Sequence, residues 1–259
     1  MQSGFAGLCY PGREQKREGP APFAPSHGPD AENIVVETVQ FPAGPYVLEG
    51  ELAYASEGEK PRGGVVLAGS HPMLGGTMHN NVIGGLGNGL AEKGWATLRF
   101  NYRGVGRSAG PRIDVARHMA EFWRTSHIEG EMDLEQDVQG AAAFLQSILG
   151  PAQPLVLLGY SFGCALLPAV CRSQMPAAVL LVAPPLSKHD YTDFTTVKSP
   201  LLVIVSTDDF ALDLARLHAW FDGLTMPKRL VQAAADNHFF RGHEPWLVET
   251  VSAFLSEHV

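Results

Sequence analysis

A short strand running straight into a glycine-framed serine, and from there into a helix, constrains this chain more than any other feature. The stretch is Gln153 to Cys171, QPLVLLGYSFGCALLPAVC. Leu155 to Leu158 is an apolar run suited to a strand buried on both faces. It ends in Gly159-Tyr160-Ser161-Phe162-Gly163, and apolar residues resume from Cys164 at helix-compatible spacing. Strand, Gly-x-Ser-x-Gly and helix in succession form the pattern of a nucleophile elbow. The glycines have a steric reason. A serine on so sharp a turn takes strained backbone angles, and residues two positions either side must be small for strand and helix to approach. The hydroxyl then stands clear of the sheet, and the helix N-terminus behind it favours developing negative charge.

The rest of the chain repeats the strand-helix alternation. Strands are expected around Val35–Val39 and over Tyr46–Tyr54, joined by a Pro42–Pro45 turn, then at Val65–Ala68 and Trp95–Phe100. Later strands are expected at Ala178–Val182, Leu201–Val205 and Arg229–Gln232. Helices are expected over Asn80–Lys93, Glu131–Ile148, Ala211–Phe221 and Trp246–His258. This order specifies an α/β fold whose mostly parallel central sheet has helices on both faces. A 259-residue chain with 45% hydrophobic and 18% charged residues can build such a core as one domain.

Residues 1–32 differ in composition. They are rich in Pro and Gly, have mixed charge and lack an apolar signal-like core, so a flexible arm is expected ahead of a domain over 33–259. No apolar run reaches the length of a membrane span. Cys9, Cys164 and Cys171 are too few and too unevenly placed for a disulfide framework, so reduced thiols and a cytoplasmic location are expected. A net charge of −8 argues against a nucleic-acid partner.

A serine hydroxyl becomes a nucleophile when a base removes its proton, and the base needs an orienting acid. In a sheet of this kind the chain order is Ser, then Asp or Glu, then His, the last two on loops at strand carboxyl ends. Leu201–Val205 ends in Ser206-Thr207-Asp208-Asp209-Phe210, and the following strand ends in Ala235-Asp236-Asn237-His238-Phe239-Phe240. His238 is therefore the expected base and one of Asp208 and Asp209 the acid, the other facing water or capping the next helix. Asp236 reads as a loop carboxylate and His243 as a capping residue of the last helix. His27, His79, His118, His127, His189, His218 and His258 have no partner at catalytic or metal-ligand spacing along the sequence. Neither a metal nor another cofactor is expected.

With these residues in place the chain resembles the α/β-hydrolase superfamily from about Val35 to the C-terminus. It is most similar to compact bacterial members carrying HPxxGGTMxN, LRFNxRGVGxS, GxSFG and DHFF. Here these stand as His71–Asn80, Leu98–Ser108, Gly159–Gly163 and Asn237–Phe240. The resemblance puts the acid at Asp209, three residues beyond a slot that holds Ser206 where relatives have glycine. It also implies an oxyanion hole from the backbone N–H groups of Phe162 and, by alignment on Gly75-Gly76, His71. Two departures are visible: Gly69-Ser70-His71-Pro72 stands where relatives read His-Pro-His-Pro, and Asn237 replaces the usual Asp beside the histidine.

Gly104-Val105-Gly106-Arg107-Ser108-Ala109 also matches a dinucleotide-binding pattern after a strand. Pro111 interrupts where a helix should open and no strand with an acidic end follows, so a tight turn bracing the site loops is expected. Between Val182 and Leu201 there is room only for a loop, which excludes a large cap domain. The extra length falls at 112–130, where Ala116, Met119, Phe122 and Trp123 suit one face of a small lid helix. Phe122 and Trp123, with Tyr160, are the expected substrate-contacting side chains. The whole reads as a serine hydrolase for carboxylic esters of small to medium acyl substrates. The same residues also suit a thioesterase, an amidase or peptidase, an acyltransferase, or a non-catalytic binding protein on the same fold. Nothing in the sequence specifies the oligomeric state.

Overall fold

The computed structural model describes residues 33–56, 60–125, 127–233 and 237–259. The N-terminal stretch read as an arm, with Cys9 and His27, lies outside them, as does Asp236. β1 (Ile34–Ala43) pairs antiparallel with β2 (Tyr46–Ala55), from Ile34 opposite Ala55 to Ala43 opposite Tyr46. Only Gly44 and Pro45 turn the chain, a tighter reversal than the sequence suggests, and Gly44 permits it with φ +56°. The remaining strands are β3 (Gly64–Ala68), β4 (Ala96–Phe100), β5 (Leu155–Tyr160), β6 (Ala178–Val182), β7 (Leu201–Ser206) and β8 (Lys228–Ala233). Among the described residues they form one eight-stranded sheet in the order β1-β2-β4-β3-β5-β6-β7-β8. β2 runs antiparallel to β4, and every pairing from β4 to β8 is parallel.

The helices are α1 (Asn81–Glu92), α2 (Val115–Thr125), α3 (Glu135–Leu149), α4 (Gly163–Gln174), α5 (Leu214–Asp222) and α6 (Glu244–His258). Leu86 of α1 and Phe254 of α6 pack with Leu158 and Leu180 on one face of the sheet. Val138 of α3, Leu166 of α4 and Leu217 of α5 pack with Leu157 and Val203 on the other. Neighbouring residues of one strand thus serve opposite cores, which is why β3, β5, β6 and β7 are buried throughout and apolar but for their ends. No cap domain intervenes between β6 and β7; a loop with a short 3-10 helix, Thr192–Thr196, joins them. No helix among the described residues is long and apolar enough to cross a membrane.

Two helix starts differ from expectation for local reasons. The segment from Glu131 begins as a 3-10 turn, Glu131–Leu134, before α3. α5 begins at Leu214 rather than Ala211, because Asp213 caps it by accepting the Arg216 N–H at 3.0 Å.

The glycine-rich turn after β4 folds back on β2 with φ +78° at Gly104 and +56° at Gly106. Buried Glu49 of β2 accepts hydrogen bonds from Asn101 Nδ2 at 2.8 Å, Arg107 N–H at 2.7 Å and Arg107 Nε at 2.7 Å. Asn101 Oδ1 accepts the Met78 N–H at 2.9 Å, which ties the turn to the loop after β3. A helix does not follow until Val115. The segment that imitates a nucleotide loop is a polar brace.

Candidate active site

The parallel order brings the carboxyl ends of β3, β5, β7 and β8 to one edge of the sheet, and the predicted residues meet there. β5 delivers Ser161 with φ +54°, a left-handed conformation that costs a non-glycine residue about 1–2 kcal/mol. It is held by Ser161 N–H donating to the Val182 carbonyl at 2.9 Å and by Cys164 N–H donating to the Ser161 carbonyl at 3.0 Å. A Cβ on Gly163 would lie 2.1 Å from the Ala68 carbonyl oxygen, and one on Gly159 would lie 2.6 Å from the Cys164 backbone nitrogen. Gly163→Ala is therefore expected to lower unfolding stability by about 3 kcal/mol, since backbone, not a flexible side chain, must give way. Urea denaturation measures it, and a loss under about 1 kcal/mol would contradict so close a helix-strand approach.

Ser161 Oγ lies 2.9 Å from His238 Nε2. His238 Nδ1 lies 2.8 Å from both Asp209 carboxylate oxygens. An ionised carboxylate only accepts, so Nδ1 carries the ring proton and Nε2 is left to accept from the serine hydroxyl. Asp209 is buried and also accepts the Ala211 N–H at 2.7 Å, whereas Asp208 is exposed. Of the adjacent pair the structure brings Asp209 to the histidine. His243 heads α6 without touching this group. Tyr160 is buried beside it, its hydroxyl donating to the His238 carbonyl at 3.3 Å, and burial pushes the phenol pKa well up. Cys164 and Cys171 are free, buried thiols; burial raises both pKa values, Cys171 to about 12, so neither is a nucleophile near neutral pH.

His71 and Phe162 stack with ring centroids 4.0 Å apart. Their backbone N–H groups have no acceptor among the described residues. Beside Ser161 opens a cleft of about 450 Å³ whose lining includes His71, Leu74, Met119, Tyr160, Phe210 and Phe239. Phe210 and Phe239 flank the imidazole at 4.9 and 5.7 Å, and both are exposed at the mouth. Sequence reasoning passed over both, although each directly follows a residue it did select, the acid and the base. α2 has no buried residue, and the member of its stripe that lines the cleft is Met119. Trp123 is 78% exposed, and Phe122 lies under the Lys188 ammonium at 5.8 Å.

A second group of side chains had no signal in the sequence. His71 Nε2 lies 3.1 Å from buried Glu131 Oε2, while His127 and His189 face Glu131 Oε1. His127 and His189, without a partner at metal-ligand spacing along the sequence, meet Glu131 in space because the loops after α2 and after β6 converge on it. Burial pushes the Glu131 carboxyl up, but the His71 hydrogen bond, the His189 and His71 imidazoles and the Ile128 N–H outweigh it and hold the pKa below the ordinary carboxylate value. Burial holds the His189 imidazole below its usual value, against the pull of Glu131.

The fold is shared with known α/β serine hydrolases. An α/β serine hydrolase homologue from Coxiella burnetii superposes with a TM-score of 0.68 at 25% identity, over 84% of this chain and 96% of that one. A lidless α/β serine hydrolase from Xanthomonas campestris gives 0.68 at 24% identity, over 87% of this chain and 95% of that one. An uncharacterized protein of Rickettsia prowazekii is 27% identical over 205 residues, 75% of this chain and 78% of that protein. The pattern described as serine aminopeptidase, S33, matches residues 60–243, and the chain belongs to this family of serine hydrolases.

Proposed function

We propose that this chain is a carboxylic-ester hydrolase for small to medium acyl substrates, working through Ser161, His238 and Asp209. The observation that carries the reading is the unbroken hydrogen-bonded chain from Asp209 through His238 to Ser161 Oγ at the wall of an open cleft. His238 Nε2 takes the hydroxyl proton as Ser161 Oγ bonds to the ester carbonyl carbon, and Asp209 steadies the imidazolium that forms. The carbonyl oxygen gathers negative charge, which the Phe162 and His71 N–H groups receive, an effect of about 3 kcal/mol per donor. Collapse breaks the C–O bond, and the imidazolium gives its proton to the leaving alkoxide. Water then repeats the cycle on the acyl-serine and releases the acid.

The choice of ester over aminopeptide rests on the cleft lining. An aminopeptidase must hold the substrate's α-ammonium, and among the described residues that line the cleft there is no Asp or Glu. Leu74, Met119, Phe210 and Phe239 offer apolar contact to an acyl or alcohol group instead. Neighbours at low identity include an esterase of Pyrococcus furiosus, 13% identical with a TM-score of 0.66, which fits the reading at the level of fold.

The test is fluorophosphonate labelling read by intact mass, followed by ester, thioester and aminoacyl-amide panels. One adduct and a kcat/KM for esters more than tenfold above that for aminoacyl amides, or about 1.4 kcal/mol in transition-state binding, is expected. No adduct on folded protein would leave a binding protein on the hydrolase fold. Among single changes in α2, Met119→Ala is expected to raise KM for longer acyl chains several-fold at nearly constant kcat. The Phe122→Ala and Trp123→Ala pair tests the lid: unchanged kinetics across the ester series would confine substrate contact on that helix to Met119.

A further inference from the structure

We propose that His127, Glu131 and His189 form a binding site for one divalent transition-metal cation of the zinc class, apart from the Ser161 cleft. The two oxygens of the Glu131 carboxylate are used differently. Oε2 is engaged by His71 Nε2 at 3.1 Å and by the Ile128 N–H at 3.0 Å, which fixes the plane of the group. Oε1 faces His127 Nδ1 at 3.5 Å and His189 Nδ1 at 3.7 Å.

Those two separations decide the reading. A hydrogen bond from an imidazole N–H to a carboxylate spans about 2.7–3.2 Å. Two ligand atoms on one tetrahedral zinc, each about 2.0–2.1 Å from the metal, stand about 3.3–3.4 Å apart. The three ligand atoms lie within 4.8 Å of one another. Small side-chain adjustments would let them share a cation, with two imidazoles and one carboxylate as the donor set. Such a set suits zinc and its neighbours better than the hard cations magnesium or calcium. The Oε2 hydrogen bonds supply the orienting outer contacts that metal-bound carboxylates need.

The surroundings also fit. Glu131 is buried and His189 half-buried, with side-chain exposures of 7% and 8%, while His127 is 64% exposed. His127 and His189 line a separate cleft of about 550 Å³, which gives a cation a way in and leaves room for a water as fourth ligand. A cation here would tie the loop after α2 to the loop after β6 through the carboxylate that also holds His71.

The proposal does not rest on the esterase reading, and its test does not use activity. The 259-residue chain, stripped with chelator, is titrated with zinc against a chromophoric competitor, and cobalt is added in parallel for its d–d absorption. One tight zinc per chain and the intense visible bands of four-coordinate cobalt are expected, equally on native and Ser161→Ala protein. His127→Ala, an exposed change that leaves the fold intact by circular dichroism, and His189→Ala should each weaken zinc by at least about 100-fold. Absence of zinc binding by the native chain would overturn the site. So would retention of native affinity in either variant, since the three donors would then not share one ion.

Discussion

Replacing Ser161 with Ala is expected to lower kcat on any ester the native chain turns over by about 10⁴- to 10⁶-fold, with little change in KM. In the proposed mechanism the hydroxyl forms the covalent bond to the acyl carbon, and it stands 2.9 Å from His238 Nε2, the base that would take its proton. The cleft walls are untouched by the change, so substrate still binds. Residual rate would come from the Phe162 and His71 N–H groups polarising the carbonyl toward water. His238→Ala should lower kcat nearly as far, and the double variant should fall little further, because serine and base act as one unit. Retention of more than a few per cent of native kcat by Ser161→Ala would assign the chemistry elsewhere. The signature to look for is loss in kcat with matching loss of fluorophosphonate labelling and an unchanged melting temperature.

Asp137→Ala is expected to be the most damaging single change to stability outside the core. Asp137 is fully buried in α3, and it accepts the Arg103 backbone N–H at 2.7 Å, Arg103 Nε at 2.7 Å and Arg103 Nη2 at 2.6 Å. Arg103 is itself largely covered and lies over the Tyr46 ring at 4.9 Å. Removing the carboxylate strands the guanidinium charge, leaving it only the Asp133 carbonyl at 3.2 Å and Gln136 Oε1 at 3.4 Å, at a cost of about 3–5 kcal/mol. For a chain of this size that corresponds to a fall in Tm of about 6–20 °C. Adding Arg103→Met should recover part of it, because the stranded charge is gone while the orphaned Arg103 N–H remains. The pH dependence runs in an unusual direction. Burial raises the Asp137 pKa and the Arg103 bonds lower it, with burial the larger effect. The folded state therefore binds more protons than the unfolded one just above the ordinary Asp pKa, so through this group stability falls as pH rises there. Asp137→Asn should remove that component of the slope in a series of urea titrations. A loss below about 1 kcal/mol in Asp137→Ala would show that water reaches the arginine.

Much of this was legible along the chain because it depends on neighbours in sequence. The apolar run before Gly159 had to be a doubly buried strand, and Gly159 and Gly163 had to be glycines for backbone to pass at van der Waals distance. Alternating strands and helices specified a parallel sheet, and parallel strands send their carboxyl-end loops to one edge. The order Ser161, then Asp208 or Asp209, then His238 could be read on that basis. Helix starts were less legible, since α5 waits for the Asp213 cap and the Glu131 turn is 3-10 before it is α.

Other features turned on groups that approach only in three dimensions. Asp208 and Asp209 are chemically identical neighbours that only the family resemblance could tell apart in the sequence, and the turn after β7 carries Asp209 to His238. Met119 rather than Trp123 lines the cleft, on a helix that packs against the Pro72–Leu74 turn. The convergence of His71, His127 and His189 on Glu131 joins three loops far apart in the chain. Local propensity and periodicity carry no term for such long-range approach. The sequence by itself determined the strand-turn-helix at Ser161, the parallel sheet and the order of the serine, the acid and the histidine, all consequences of short-range sterics and hydrophobic period. Tertiary structure decided which carboxylate, which aromatic and which histidines meet, because those choices follow from loop packing and burial that no single segment contains.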